Sequence, residues 1–525
     1  MPLTGAEITL RDLIRVAAAK HPYSEAVVDG AWRYTYAGLL DQVQRMAKLL
    51  HTLGVRKGDR VALLMPPSAA HLIALFGAIE LGAIPVALHV RETEAVLAAL
   101  LHRFAPRALV YDAAFADKAK ALRQRCTWVT AAVRAISGMT PADSGPGSDE
   151  PLIPRDLGDY TLDFEPMPVG PGDTAVIALS SGTTGAPKGV MHTHRTLLAS
   201  ARLGCHYVAA HPRTVTINTF TTAFIGWYNC TLPPLYGASK IIFLGRWDPQ
   251  EFLQTIEREK VTLCFLVPTM WRMVLRALAE QHHDLSSLER VGYAGEPMDT
   301  RTMAEIRGKI CHSVINTYGT TETGSWGGCT VMLPEDYASD DRIDSVGKPG
   351  MEVGMRVIRP GGSIDEPLPR GEEGEIVIRG PSVASQFWEQ PALARSVFAE
   401  GWWRSGDMGK MDQEGYVFLK GRVDDMIITG GINVFPGEVE DAVLSHPAVG
   451  ECAVIGLPSE TWGQQVTAFV IRSANVSAEE LLAHVNRTAL ASYKRPREYR
   501  FVTELPRGNT GKISRKLLRD QAMNL

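Results

Sequence analysis

The chain has 525 residues, 45% hydrophobic and 21% charged, with 54 Lys and Arg against 58 Asp and Glu and a formal net charge of −4 at pH 7. At roughly 100 to 200 residues per domain that length calls for about three folding units. So even a charge balance carries no electrostatic footprint for nucleic acid or an anionic membrane, and the expected partners are small molecules. The seven cysteines (Cys126, Cys205, Cys230, Cys264, Cys311, Cys329 and Cys452) never fall in a CxxC spacing. That pattern speaks against a zinc site and for a reducing compartment.

In chain order, Leu39, Leu40, Val43, Met46, Ala47 and Leu50 recur at helical spacing, with Gly54 as the stop, and Val61–Met65 reads as a buried strand ended by Pro66-Pro67. A helix over 68–81, a strand over 84–88, a helix over 92–103 and a strand over 108–111 repeat the alternation. Alternating helices and short apolar strands predict parallel sheets covered on both faces. The most apolar run, His71 to Val90, is broken by Glu80, Gly82 and Pro85. It is therefore expected to be a core helix running into a strand, not a membrane span. No secretory signal is read at the N-terminus and no peroxisomal address in Ala522-Met523-Asn524-Leu525, so a cytoplasmic location is expected.

Between 138 and 173 the chain is rich in Pro, Gly, Asp and Ser and reads as a surface connection. The apolar strand Thr174–Leu179 then runs into Ser180-Ser181-Gly182-Thr183-Thr184-Gly185-Ala186-Pro187-Lys188-Gly189. Glycines let backbone amides close on an anion, hydroxyls add donors and Lys188 adds charge, which is a phosphate-holding composition. A Walker loop would need Ser or Thr after its lysine, and Gly189 stands there instead. A second alternating stretch spans about 190 to 320. After Arg342 short strands and turns suggest a small β-rich subdomain, and the last hundred residues form a separate unit with helices over 436–444 and 478–488 and strands over 451–455 and 465–471.

Further chemistry-bearing segments follow in order. Tyr318-Gly319-Thr320-Thr321-Glu322-Thr323-Gly324 sets hydroxyls beside one carboxylate, so that Glu322 is suited to magnesium, a hard cation that takes oxygen ligands. Trp402–Asp407, Gly421–Gly431 and Gly508–Lys516 come next. His192, His194 and His206 are read as structural, because a carboxylate nucleophile is already ionised near neutral pH and needs no general base.

Jointly and in this order, these segments resemble the adenylate-forming (AMP-binding) superfamily, in its acyl-CoA synthetase branch, from about Arg33 to Arg519. The resemblance implies an α/β fold: a large N-terminal part of stacked α/β sheets with a β-rich subdomain over 1–422, and a small mobile α+β C-terminal lid over 423–525 that turns at Asp424. It implies ATP, Mg2+ and CoA as cofactors. Ser181, Gly182, Thr183, Thr184, Gly185 and Lys188 would hold the ATP phosphates, with Thr184 and Glu322 at the metal. Gly295, Glu296, Pro297, Asn316, Tyr318, Gly319 and Thr320 would line the nucleotide, Thr321 would meet the α-phosphate, and Asp407 and Arg422 would bind the ribose. Gly430 and Gly431 would meet CoA, and Lys512 would be the catalytic lysine of adenylation, with Thr184 and Glu322 acting beside it.

The acid is expected to be bound by the stretch Thr219–Tyr228 and by Tyr293. No aspartate lies between Arg213 and Lys240 to pair with a substrate ammonium, which argues against an amino acid. Phe224, Trp227, Tyr228 and Tyr293 favour an apolar acid, whether aromatic, alicyclic or medium-chain aliphatic. The expected activity is an acid-CoA ligase. The alternatives left open are a free-standing adenylation enzyme that loads a carrier protein, a nucleotide- or acyl-binding regulator without turnover, and a luciferase-type oxygenation; a homodimer is also left open.

Overall fold

The computed structural model describes residues 8–138, 150–153, 157–158, 167–180, 187–296, 298–338, 342–508 and 513–523. The chain divides into two compact units. The first comprises Met1–Ser180, Pro187–Gly354 and Ile378–Trp403, and the second is built on Met355–Val377 and Arg404–Leu525. The boundary expected at 422/423 therefore falls inside the second unit, because the β-rich segments before it group with the last hundred residues.

The first unit contains the expected alternation: Tyr36–Thr52, Arg60–Leu64, Ala69–Leu81, Ile84–Ala87, Glu94–Phe104 and Ala108–Asp112 are helix, strand, helix, strand, helix, strand. Its eight-stranded sheet runs, in spatial order, Gln386–Phe387, Lys188–Thr193, Thr174–Ser180, Ile84–Ala87, Arg60–Leu64, Ala108–Asp112, Ala131–Ala135 and Leu152–Ile153. The pairings are parallel from Thr174–Ser180 onward and antiparallel on the Lys188–Thr193 side. Leu152–Ile153 corrects the reading of 138–173 as surface connection alone: these two residues are buried and extend the sheet edge, a strand too short to leave a periodic signal. The nine-stranded sheet has Val314–Tyr318, Arg290–Ala294, Leu263–Leu266, Val215–Asn218, Lys240–Phe243 and Glu25–Asp29 as a parallel run, flanked by antiparallel edge strands.

One core group joins the two sheets, with Val61, Leu63 and Val110 from one, Val27, Ile241 and Phe243 from the other, and the helix Ala69–Leu81 among them. Every residue of that helix is buried. A helix with no polar face must be wrapped by protein on all sides or by lipid. Here the wrapping is protein: Gly77 leaves room for Met46 of Tyr36–Thr52, which a Cβ would approach to 2.6 Å. Its ends follow local chemistry, since Ser68 accepts from the N–H of His71 and Gly82, at φ 74°, closes the C-terminus. Glu80, 4% exposed, is met by Arg15. Among the described residues no helix is long and apolar enough to cross a membrane.

Gly354–Ile358, Glu373–Arg379, Trp402–Met411 and Val417–Arg422 lie side by side in that order, most of their residues belonging to the second unit. A second sheet is ordered Ile432–Val434, Ile427–Thr429, Gly463–Arg472 and Val449–Ser459, with Glu498–Phe501 added parallel to Gly463–Arg472. The helices Pro436–Leu444 and Ala478–Val485 share a core with it through Val439, Val443, Leu481 and Val485 against Val454, Val466, Ala468 and Val470.

Candidate active site

The stem of the glycine-rich loop is an antiparallel pair whose last partners are Leu179↔Gly189 and Ser180↔Lys188. Gly189 fits because a Cβ there would meet Phe104 and Ile177 at 2.8 and 2.9 Å. Ser181, Gly182, Thr183, Thr184 and Gly185 lie outside the described residues. Lys188 opens the return strand half-buried, its Nζ 5.9 Å from the centre of the Phe387 ring.

The Thr320 turn follows the strand Val314–Tyr318. Thr323 Oγ1 accepts from the Thr320 N–H and donates to the Thr320 carbonyl, both at 3.0 Å. Gly324 turns at φ 62°, where a Cβ would collide with the Ser382 carbonyl and lie 3.1 Å from His192 Cε1. Ser382 Oγ donates to Thr323 O at 2.6 Å, and the Ala384 N–H donates to Glu322 O at 2.8 Å.

Two bonds tie this turn to the loop stem. His192 Nε2 is 2.9 Å from Thr321 O, so that nitrogen carries the proton and donates, and Thr321 Oγ1 donates to Leu179 O over a long 3.5 Å. His192 is wholly buried, and burial lowers its pKa to about 4, which keeps it neutral. Its structural assignment holds, with an added task, because it fixes the carbonyl of Thr321. His194 Nδ1 accepts from the Leu10 N–H at 3.3 Å, and the His206 ring lies against Tyr207.

Whether these residues suit a polyphosphate and its metal can be tested on the polar atoms themselves. Thr320 Oγ1 is buried with no hydrogen-bond partner. Among the described residues the half-buried Glu322 carboxylate has no hydrogen-bond or ion-pair partner, and no cluster of three His, Cys, Asp or Glu exists that would hold a metal by protein ligands alone. A carboxylate with no partner among the described residues, two residues along the chain from an unpaired hydroxyl, suits Mg2+, which keeps several waters and takes one or two carboxylates plus substrate phosphates.

Tyr293↔Asn316 and Ala294↔Thr317 are register partners on adjacent parallel strands. Gly295, at φ 90°, and Glu296 therefore leave the carboxyl end of one strand beside Tyr318, Gly319 and Thr320 leaving the next. Crevices at strand carboxyl ends are where open α/β sheets bind ligands. Glu296 is half-buried and accepts weakly from Thr269 Oγ1 at 3.4 Å, Asn316 is buried, and Pro297 lies outside the described residues.

The stretch 219–228 is held by main-chain and short polar groups. Asn218 Nδ2 donates to Trp227 O and Thr231 Oγ1, Thr222 Oγ1 donates to Met65 O, and the Leu179 N–H donates to Ala223 O at 3.2 Å. Phe224 is half-buried, its ring 5.6 Å from that of His89. Trp227 and Tyr228 are 0% and 2% exposed and pack with the core, Trp227 stacked on Phe243 and edge-on to His71 and Tyr228, while Trp227 Nε1 and the Tyr228 hydroxyl have no hydrogen-bond partner. They follow Phe224 into the helix Ile225–Tyr236, whose turn carries them inward. Tyr293 is 3% exposed, with its hydroxyl 3.5 Å from that of Tyr337.

In the second unit Asp407 and Arg422 face each other as register partners, with Arg422 Nη1 donating to Asp407 Oδ1 at 2.8 Å and to Ser405 O at 3.0 Å. Asp424 is exposed within the short 3-10 turn Val423–Asp425. Gly430 and Gly431, at φ 56° and 79°, make the two-residue turn between Ile427–Thr429 and Ile432–Val434. Lys512 lies outside the described residues. Sequence reasoning missed the bond of His192 to Thr321 O, Ser382, and the main chain of Leu179 and Ala223. Main-chain partners leave no mark on residue identity, and a buried histidine reads alike whatever it bonds.

The model of the AMP-binding enzyme family matches residues 14–388, and that of the AMP-binding enzyme C-terminal domain matches residues 438–512. A feruloyl-CoA synthase of an Amycolatopsis species is 34% identical over 503 residues, spanning 94% of this chain and 95% of that protein. The long-chain-fatty-acid–CoA ligase FadD13 of Mycobacterium tuberculosis is 30% identical over 511 residues, 97% of each. Among solved structures, ATP-bound MatB from Rhodopseudomonas palustris superposes with a TM-score of 0.86 at 28% identity, covering 98% of this chain and 99% of that one.

Proposed function

The chain belongs to the AMP-binding enzyme family, and from that membership we propose that it is an ATP-dependent carboxylic acid-CoA ligase acting on apolar acids. One observation carries the reading: Leu179 binds the acid segment with its N–H, through Ala223 O, and the Thr321 turn with its carbonyl. The segment that chooses the acid and the turn expected at the α-phosphate thus hang on one residue at the stem of the phosphate loop.

The chemistry runs in two steps. The acid, already ionised, attacks the α-phosphorus of ATP and expels pyrophosphate; the CoA thiol then attacks the acyl carbonyl and AMP leaves. Bringing two anions together requires positive charge and donors fixed in advance. Lys188 and the hydroxyls of Ser181, Thr183 and Thr184 would take the β- and γ-phosphates, Thr320 and Thr321 the α-phosphate, and Gly295, Glu296, Pro297, Asn316, Tyr318 and Gly319 the base. Asp407 and Arg422 would take the ribose. Mg2+, held by Glu322 and Thr184, would neutralise phosphate charge. Lys512 would donate to the oxygens that gain charge during adenylation. The second step needs that lysine withdrawn and Gly430 and Gly431 presented to CoA, which is the work assigned to rotation at Asp424 of a lid over 423–525.

Phe224 beside His89 is the side chain proposed to meet the acid. FadD13 is named for a long-chain fatty acid and the Amycolatopsis enzyme for feruloyl-CoA, so relatives at this similarity span aliphatic and aromatic acids. The test is acid-dependent pyrophosphate release across benzoic, cinnamic, cyclohexane and C4 to C12 acids, with and without CoA, and mass spectrometry of the product. An acyl-CoA product establishes the ligase. An acyl-adenylate that persists in the presence of CoA would transfer the reading to a carrier-protein acceptor, and no pyrophosphate with any acid would leave a binder without turnover.

A further inference from the structure

Arg515 reaches three elements of the second unit at once. It opens the helix Arg515–Met523, and its Nε and Nη2 grip the two oxygens of Glu440 at 3.1 and 2.5 Å on the helix Pro436–Leu444. Its Nη1 lies 3.4 Å from Oδ2 of Asp425. Glu440 Oε1 also accepts the Val454 N–H at 2.7 Å, which fixes the carboxylate to the strand Val449–Ser459. A two-pronged grip of this kind is specific to the planar guanidinium fork, and it is shielded here, with Glu440 only 12% exposed. The two carboxylates hold the Arg515 pKa above its ordinary value against the opposing effect of burial.

The positions of these groups along the chain give the cluster a purpose. Asp425 is the residue immediately after Asp424, and Arg515 follows Lys512 by three residues, a reach of at most about 11 Å along the chain. The flanks of the lysine segment are pinned: Arg507 and Ile513 form an antiparallel bridge, the Ser514 N–H donates to Pro506 O at 2.8 Å, and Arg507 pairs with Glu451 at 2.5 Å. A hinge delivers a distant group to one place only if everything on its far side moves as one body.

We infer that Arg515 is a positioning residue for adenylation: by clamping Asp425 and Glu440 it makes the first residue past the hinge and the base of the Lys512 segment a single rigid piece. This rests on the ligase reading of Lys512 and Asp424 given above. It adds that the accuracy of lysine placement is set by a guanidinium that touches neither substrate.

The test measures the two half-reactions in the full-length protein. Arg515→Met is expected to lower kcat for acid-dependent pyrophosphate release 10- to 100-fold while KM for ATP and for acid stay within threefold. Thioester formation from supplied acyl-adenylate should stay within threefold of the unmodified protein. Arg515→Lys should recover part of the rate, since one ammonium cannot span both carboxylates. Asp425→Asn should slow adenylation alone, yet add less than twofold when combined with Arg515→Met. Adenylation within twofold of normal in Arg515→Met, or equal loss of both half-reactions, overturns the inference. Should Arg515→Met not fold, full adenylation by Asp425→Asn, at a side chain 23% exposed, overturns it equally. Lys512→Ala, run alongside, separates the two levels. If it leaves adenylation intact, the lysine assignment fails and the clamp with it; if it abolishes adenylation while Arg515→Met does not, only the clamp fails.

Discussion

Replacing His71 by leucine is expected to stabilise the protein, and to do so more at pH 5 than at pH 7. His71 is wholly buried in the helix Ala69–Leu81, and neither ring nitrogen has a hydrogen-bond partner. Leaving such polar atoms unpaired costs about 1–3 kcal/mol, against which leucine forfeits the edge-on contact with Trp227 at 4.9 Å, worth about 0.5–1.5 kcal/mol, and some packing strain. The net at pH 7 is a gain of about 1 kcal/mol. The pH dependence has a definite sign. Burial lowers the His71 pKa to about 3, so between that value and the ordinary value of about 6.5 the unfolded chain binds a proton that the folded chain refuses, and stability falls as pH falls. At pH 5 this penalty is about 2 kcal/mol, and leucine abolishes it, so the gain should grow to about 3 kcal/mol. Urea unfolding at pH 7 and pH 5, followed by tryptophan fluorescence, reads both quantities. A variant less stable than the parent by the same amount at both pH values would refute the argument, because the nitrogens would then be satisfied and their protonation unpenalised.

Other outcomes follow from the site. Phe224→Ala should change which acids are used without changing ATP dependence, whereas Trp227→Ala should cost about 3–5 kcal/mol of stability and leave the acid ranking alone; the same acid panel and a denaturant titration distinguish them. His192→Phe withdraws the donor from Thr321 O and should slow adenylation about tenfold, the equivalent of about 1.4 kcal/mol, while relieving the unpaired Nδ1; unchanged pyrophosphate release would show that Thr321 needs no such support. Arg422→Met should raise KM for ATP by about tenfold, a charge-assisted hydrogen bond being worth about 1.5–3 kcal/mol, with KM for the acid unmoved, as steady-state kinetics would show. Asp424→Pro should slow thioester formation more than adenylation, and the reverse order would end the hinge assignment.

The order of helices and strands was legible because the apolar periodicity is strong: the helix expected over 68–81 is Ala69–Leu81, capped by Ser68 and Gly82, and the apolar run His71 to Val90 is that core helix followed by a strand. Motif order carried the family, since each segment has an ordinary reading alone and only the sequence of them does not. What stayed hidden has physical causes. An aromatic residue serves a pocket and a core equally well, so residue type alone does not separate the half-buried Phe224 from Trp227 and Tyr228, which are packed in the core. The grouping of Met355–Val377 with the last hundred residues depends on which strands pair, and short strands carry no partner code. His192 shows no chemistry of its own; its role lies in the carbonyl it faces.

The Leu179 junction bears on how such an enzyme can diversify. Its bond to Ala223 uses main-chain atoms alone, and on the Thr321 side Leu179 offers only its carbonyl. Phe224, the side chain proposed to meet the acid, can therefore be exchanged without cutting either bond of Leu179, provided the backbone at 223 keeps its course. A lineage, or an engineer, can rewrite the guest list of acids while the triphosphate machinery is inherited intact. The residues to leave untouched are those that shape the path of the chain, Asn218 and Thr222, and not those that face the guest.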